Sequence, residues 1–487
     1  MENKNAFNEP LIFERSKRGR IGVDVPRTTF EQKELGAHFD KAVLRGDLAG
    51  FAEVSEPEAV RHFTRLSQWN FGVDSHFYPL GSCTMKYNPK VNEVVAALEG
   101  FAGLHPLQDE SHVQGALRVI YELEKYLCEI VGMDCASLQP AAGAQGEHSG
   151  LMLIHSHLKN RGNARKKVIL PDSSHGTNPA SAALCEYTPA PLNSGPDGLI
   201  DCGALEKLMD EDTAALMITN PNTLGLFEKN IKRICDIVHN KGGLVYADGA
   251  NLNAILGKTR FGDMGVDVCH MNLHKTFSTP HGGGGPGSGP VLAKGFLNPY
   301  LPGPRVKLSN GRYSVERENE KSVGMMNAFF GNFGVYLRAY AYVLSVGAEG
   351  FGDISDAAVL NANYILAKLK KHYHVPYDTT CMHECVISDK LQKDAHVSTL
   401  DIAKSLIDRG FHPPTIYFPL IVKGAMMIEP TESETVETLD LFISAMIEIA
   451  ELAKTDPQSL QNAPVRAKLM RLDETAAARS PNLRHKP

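Results

Sequence analysis

The sequence contains one lysine whose setting gives it chemical capacity. It lies in Asn272-Leu273-His274-Lys275-Thr276-Phe277-Ser278, entered from the apolar run Val266-Asp267-Val268-Cys269. It is left through His281-Gly282-Gly283-Gly284-Gly285-Pro286-Gly287-Ser288-Gly289. A lysine amine becomes a reagent when it forms an imine with a carbonyl, which requires an ammonium that releases its proton readily. A rigid pocket of low dielectric favours that release. Most lysines are solvated surface charges, so Lys275 gains meaning only from the groups that accompany it.

Those groups recur at one kind of position. Val168-Ile169-Leu170, Ala214-Ala215-Leu216-Met217-Ile218, Leu244-Val245-Tyr246-Ala247 and the run Val266 to Met271 read as short buried strands. Helical spans separate them, such as Ile231 to Val238. This alternation predicts an α/β fold with a mostly parallel sheet covered on both faces. Ligands gather at the carboxyl ends of the strands in such a sheet. Past the four strands stand Pro171-Asp172-Ser173-Ser174-His175, Asn220-Pro221-Asn222, Asp248-Gly249-Ala250-Asn251 and His274-Lys275. In addition, Ala141-Ala142-Gly143-Ala144-Gln145-Gly146 opens a helix whose unpaired N–H groups and positive dipole end suit an anion.

The set suits pyridoxal phosphate. The backbone at Ala142, Gly143 and Ala144 takes the phosphate, and Lys275 bonds the aldehyde. Asp248 pairs with the ring nitrogen so that the ring can act as an electron sink. His175 stacks on the ring face, and Asn220 or Asn222 bonds the ring hydroxyl. His274 contacts the phosphate or assists proton transfer, while Ala250 and Thr276 complete the expected cofactor contacts. Plainer readings exist: Asp-Gly and Asn-Pro-Asn form turns wherever they occur, and His175 could cap a helix. Lys275 is the member that gives the others a shared purpose.

The elements that must hold these residues follow from length and pattern. With 487 residues, one large domain and one or two smaller ones are expected. Residues 1–95 read as an N-terminal arm, 96–345 as a large cofactor-binding domain and 346–487 as a small C-terminal α/β domain. Thr431-Glu432-Ser433-Glu434 has the form of a capping box, ahead of the stripe Leu439, Phe442, Ile443, Met446 and Ala450. A formal charge of -6 disfavours nucleic acid or an anionic membrane as the main partner. The basic group Arg15, Lys17, Arg18 and Arg20 reads as a solvated arm. Nine cysteines without regular spacing indicate a reducing compartment. No metal site is expected at Cys381, His383 and Cys385, nor at Cys269, His270 and His274. Without an apolar leader or an eighteen-residue apolar run, a cytoplasmic location is expected.

His274-Lys275-Thr276-Phe277-Ser278-Thr279-Pro280-His281, with the glycine run that follows, resembles the cofactor-lysine segment of glycine dehydrogenase (decarboxylating), the P-protein of the glycine cleavage system. The stretches Tyr78 to Pro89, Asp172 to Ala180 and Phe411 to Pro419 resemble the same family, so the likeness spans most of the chain. Some members of that family are a single chain of about twice this length, and others split into two homologous subunits. This chain, which carries the lysine, resembles subunit 2 of the split form. The resemblance implies the fold type I architecture of the aspartate aminotransferase superfamily. It also implies decarboxylation of glycine, with transfer of the aminomethyl group to the lipoyl arm of H-protein. The implied partner is a homologous subunit 1, in a heterotetramer of two unlike pairs. His76 departs from the small residue expected there. The loop Gly81 to Pro89 is the candidate wall for the lipoyl arm, and Arg305, Arg312 and Arg338 are open choices for the glycine carboxylate. Two rivals remain: a self-sufficient pyridoxal phosphate decarboxylase or aminotransferase, and a non-catalytic scaffold subunit.

Overall fold

A computed structural model describes residues 9–46, 50–317 and 319–483. Seven strands form the central sheet: β1 (Cys135–Ser137), β2 (Lys167–Pro171), β3 (Thr188–Leu192), β4 (Thr213–Thr219), β5 (Leu244–Gly249), β6 (Val268–Met271) and β7 (Val291–Ala293). Their spatial order is β1-β7-β6-β5-β4-β2-β3. The run β6-β5-β4-β2-β3 is parallel throughout, and β7 lies antiparallel to both β6 and β1. All seven residues of β4 are buried, which explains why the strand reads as an unbroken apolar run. Alternate residues serve opposite faces. Leu216 and Ile218 enter one core with the helices Gln114–Val131 and Ile231–Asn240, while Ala215 and Met217 enter another with the helix Gly143–Asn160.

A hairpin of β8 (Arg305–Ser309) and β9 (Arg312–Glu316) follows, and then the long helix Phe333–Leu369. That helix is broken at Gly347, whose φ of 67° is open to glycine at little cost. Val335, Tyr336 and Tyr342 before the break pack into a core of the large sheet. Ala362, Ile365 and Leu366 after it pack into the core of a second, antiparallel sheet. That sheet has the order β10-β12-β11, from β10 (Cys385–Ser388), β11 (Thr415–Ile416) and β12 (Ala425–Ile428). The expected division at 345/346 therefore falls inside one helix, beside its kink.

Chain contacts divide the molecule into Gly72–Arg466 and a second unit of Met1–Phe71 with Ala467–Pro487, rather than at residue 95. Residues 77–89 belong to the larger unit because they are bonded to its three-stranded sheet and to the long helix and a turn packed in the core of the seven-stranded one. Leu80 bridges Ile428, and buried Lys86 donates to Glu432 (2.7 Å), Asn253 (2.9 Å) and Tyr342 (3.2 Å). In the smaller unit, the helix Glu56–Ser67 begins with a Ser55–Glu58 capping box. There Glu9 accepts Arg15 at 2.7 Å and lies 2.8 Å from His62, and Arg20 pairs with Glu58. Two members of the basic patch thus have acidic partners within their own unit.

The capping box expected at Thr431 is not formed. Thr431 sits at φ 66°, outside the extended range that an N-cap takes, and its hydroxyl lies 2.9 Å from Ser433 Oγ. The helix Val436–Thr455 begins later, capped by Thr435, whose hydroxyl accepts from Thr438 N. The expected stripe, Leu439 to Ala450, is buried. Among the described residues no helix is long and apolar enough to cross a membrane.

Candidate functional site

Because β2, β4, β5 and β6 run parallel, their carboxyl ends share one rim. Asp248, the fifth residue of β5, is 1% exposed and pairs in register with His270 of β6. Its carboxylate accepts Ala250 N at 2.9 Å and Asn178 Nδ2 at 3.2 Å. Burial works to raise its pKa, yet His270, His175 and Lys275 outweigh burial and hold the carboxyl below its ordinary range. Ala250 contributes that backbone bond from a buried position.

Lys275 occupies a tight turn after β6, with its N–H on Asn272 O at 3.0 Å and its carbonyl accepting Ser278 N at 3.2 Å. It is 7% exposed, and its amine forms no hydrogen bond or ion pair among the described residues. Its charge is felt by Asp248, His175, His274, His281 and His383, and by Glu384 and Glu429 at the ends of β10 and β12. His175, in the loop after β2, lies with Nε2 2.8 Å from Ser82 Oγ. Burial pushes its pKa down to about 4, against the pull of Asp248 and with the help of Lys275.

The helix Gly143–Asn160 starts at Ala142, which is extended. The amides of Gly143, Ala144 and Gln145 have no acceptor within the helix, as its geometry requires. Three glycines on one helical face admit what lies beneath. A Cβ at Gly143 would collide with Asn272 Nδ2, one at Gly146 would lie 2.8 Å from His270 Cβ, and one at Gly150 would lie 2.8 Å from Tyr246 Cδ2. The side chains so admitted form a polar row. Tyr246 OH lies 2.5 Å from His270 Nδ1, His270 Nε2 3.1 Å from Asn272 Oδ1, and Asn272 Nδ2 3.3 Å from His274 Nε2. His274 Nδ1 accepts Ser288 N at 3.3 Å, and burial drives the pKa of His274 down to about 3. The hydroxyl of Thr276 is fully buried without a partner among the described residues, as is His281 Nδ1.

Open amides, a glycine without a Cβ and an unspent buried hydroxyl together suit a phosphate, and buried Asp248 suits a protonated ring nitrogen. The residues fit pyridoxal phosphate. Asn220 and Asn222, expected at the ring hydroxyl, are used differently. Asn220 accepts Glu228 N at 3.0 Å and turns its Nδ2 to Met264 Sδ. Asn222 accepts Leu224 N and Leu226 N and donates to Gly198 O, so both brace the loop after β4. Two of the arginines considered for the carboxylate have other partners: Arg338 pairs with Glu93, and Arg305 donates to Asn298 Oδ1.

Sequence reasoning missed His270 as the neighbour of Asp248, and Glu384 and Glu429 as groups facing the site. The glycine spacing 143, 146 and 150 was the available signal for the first. Glu384 and Glu429 lie more than a hundred residues from Lys275, and only the fold brings them near it. Cys83, from the expected lipoyl wall, also feels Lys275; burial pushes its thiol up to about 11.

Residues 145–284 match the aminotransferase class-V family, and residues 354–467 match the C-terminal domain of glycine dehydrogenase. The crystal structure of glycine decarboxylase (P-protein) of the glycine cleavage system, in inhibitor-bound form, superposes with a TM-score of 0.72 at 21% identity, over 85% of this chain and 94% of that one. An apo cysteine desulfurase from Thermococcus onnurineus NA1 superposes at 0.61 with 14% identity, over 78% and 95%. These likenesses carry the fold, which is fold type I. A probable glycine dehydrogenase (decarboxylating) subunit 2 from Staphylococcus haemolyticus is 55% identical over 478 residues, 98% of this chain and 97% of that one. Its counterpart from Caldanaerobacter subterraneus subsp. tengcongensis is 55% identical over 475 residues, 97% and 98%. On that full-length identity, the chain belongs to the glycine dehydrogenase (decarboxylating) subunit 2 family.

Proposed function

We propose that the Lys275 pocket binds pyridoxal phosphate and decarboxylates glycine, releasing carbon dioxide and passing the aminomethyl group to the lipoyl arm of H-protein. One observation carries this reading. Lys275, Asp248 and His175 converge on one sheet rim beside an open helix N-terminus, in a chain 55% identical to subunits named for that activity. When bound, pyridoxal phosphate supplies a ring that accepts the electron pair left as the carboxylate departs.

The chain's own residues supply the rest. Lys275 would hold the cofactor covalently through Nζ. Asp248 would keep a proton on the ring nitrogen by its fixed negative charge, braced by Ala250 N and Asn178. His175 would cover one ring face and exclude water from it, held in place by Ser82. The amides of Gly143, Ala144 and Gln145, with Thr276 Oγ1, would take the phosphate. His274, kept neutral by burial, lines that end of the pocket.

A second subunit implies a partner chain. We take that partner to be a homologous subunit 1, in an assembly of two copies of each. All nine cysteines are free thiols, which suits a reducing, cytoplasmic setting.

Exchange of labelled bicarbonate into the carboxyl group of glycine tests the reading. Exchange should require this chain, subunit 1 and lipoylated H-protein together, and should vanish in Lys275→Ala. Turnover of a larger amino acid by this chain alone would favour a self-sufficient enzyme. Exchange that survives Lys275→Ala would favour a scaffold.

A further inference from the structure

The loop that touches His175 does not hold its own shape. Ser82 and Thr84 both take left-handed backbone angles, with φ 62° and 48°, which cost any residue other than glycine. Such an alternation turns successive N–H groups into one concavity that suits an anion. Here two carboxylates from the ends of β10 and β12 fill it. Glu384 Oε2 accepts Ser82 N at 2.8 Å, while Glu429 Oε2 accepts Cys83 N at 3.1 Å and Thr84 N at 2.9 Å. Glu429 Oε1 also accepts the Thr84 hydroxyl at 2.6 Å. The adjoining backbone is fixed as well: Gly81 O accepts Thr415 Oγ1 at 2.8 Å, and Met427 fills the space where a side chain at Gly81 would lie.

We propose that Glu384 and Glu429 are positioning residues for His175, fixing its imidazole in the reacting centre through the backbone of Ser82, Cys83 and Thr84. The link runs from the carboxylates to three consecutive amides, and from Ser82 Oγ to His175 Nε2 at 2.8 Å. Both acids are fully buried, one just before β10 and the other just after β12. They and His383 form a cluster in which Glu384 Oε1 and both His383 nitrogens lack hydrogen-bond partners among the described residues, although His383 Nε2 lies 3.8 Å from Glu429 Oε1. A buried group left unsatisfied is costly, and its retention needs a reason beyond packing. Burial first, and then the charge of Glu429, raise the pKa of Glu384, and burial raises that of Glu429.

The inference rests on the assignment of His175 to the ring face, and the test separates the two. The probe is pyridoxal phosphate itself, titrated into the full chain with its partner subunit and followed by the visible band and its position. His175→Asn should shift the band and weaken binding roughly tenfold, the scale of one lost hydrogen-bonded contact. Ser82→Ala and Glu384→Ala should each reproduce that change. Glu384→Ala should add nothing further in the Ser82→Ala background, because both act along one line. Glu384→Gln keeps an acceptor for Ser82 N and should restore the wild-type band, which also guards against a folding defect in the alanine variant. Equal, additive shifts from Ser82→Ala and Glu384→Ala would overturn the proposal, as would a wild-type band in Glu384→Ala. A His175→Asn variant with unchanged band and affinity would overturn the ring-face assignment and the proposal with it.

Discussion

Alanine at position 150 would put a methyl group where the structure has the ring of Tyr246. The added carbon would lie 2.8 Å from Cδ2, closer still to Cε2, and 3.2 Å from Val268 Cγ1. Two effects compete. Replacing a glycine in mid-helix contributes up to about 1 kcal/mol of stability. Overpacking a full core costs about 1–3 kcal/mol. The second wins because the ring has nowhere to go: Tyr246 is fully buried between sheet and helix, and its hydroxyl is held 2.5 Å from His270 Nδ1. With the cost near its upper end, the net loss is about 2 kcal/mol. Displacing the ring also disturbs His270, the buried neighbour of Asp248 that is bonded to the Tyr246 hydroxyl. Thermal unfolding of the apo chain should therefore fall by several degrees in Gly150→Ala, and its affinity for pyridoxal phosphate should fall as well. Gly176→Ala, with nothing within 4 Å of the new carbon, is the control and should melt as wild type. A Gly150→Ala protein as stable as wild type, or more so, would refute the packing argument.

Three further outcomes follow from particular contacts. Asp248→Asn removes the fixed charge and should weaken cofactor binding about 10–100-fold, the equivalent of a charge-assisted bond of about 1.5–3 kcal/mol; unchanged affinity by fluorescence titration would assign Asp248 a purely structural role. Glu124, fully buried, has its carboxyl pushed by burial from 4.5 up to about 7. A raised carboxyl pKa stabilises the fold fully below about 4.5 and loses that contribution as pH climbs through about 7, on the order of 3 kcal/mol. Melting curves between pH 5 and about 8.5 should accordingly fall more steeply for wild type than for Glu124→Gln, and parallel curves would contradict the burial argument. Thr435→Ala should cost about 1 kcal/mol in urea unfolding as the true helix cap; no loss would mean that the helix starts elsewhere.

The seven-stranded sheet was legible because its strands are short, apolar and separated by helices, and because polar residues stand just past them. Lys275, Asp248 and His175 needed only that rule to be placed on one rim. Asn220 and Asn222 show why such residues are hard to assign from sequence: the same side chains that can bond a ligand also brace the turn they form, and nothing local separates the two uses. The false cap at Thr431 has a similar origin: Ser/Thr-x-x-Glu is a local pattern, and Thr431 is instead held in a left-handed turn with its hydroxyl against Ser433. Residues 77–89 looked like an irregular arm because their partners, Glu384, Glu429 and Glu432, are hundreds of residues away. Long-range pairing of that kind leaves no periodic trace. The glycine ladder of the helix Gly143–Asn160 was visible but carried no meaning until Tyr246, His270 and Asn272 were seen beneath it.

The central claim is that the amine of Lys275 is the covalent seat of pyridoxal phosphate. Borohydride reduction of the cofactor-loaded protein, followed by peptide mapping, tests it most directly. The account predicts one phosphopyridoxyl adduct, on the peptide containing Lys275, and none in Lys275→Ala. An adduct on another lysine, or one that persists in Lys275→Ala, would contradict it.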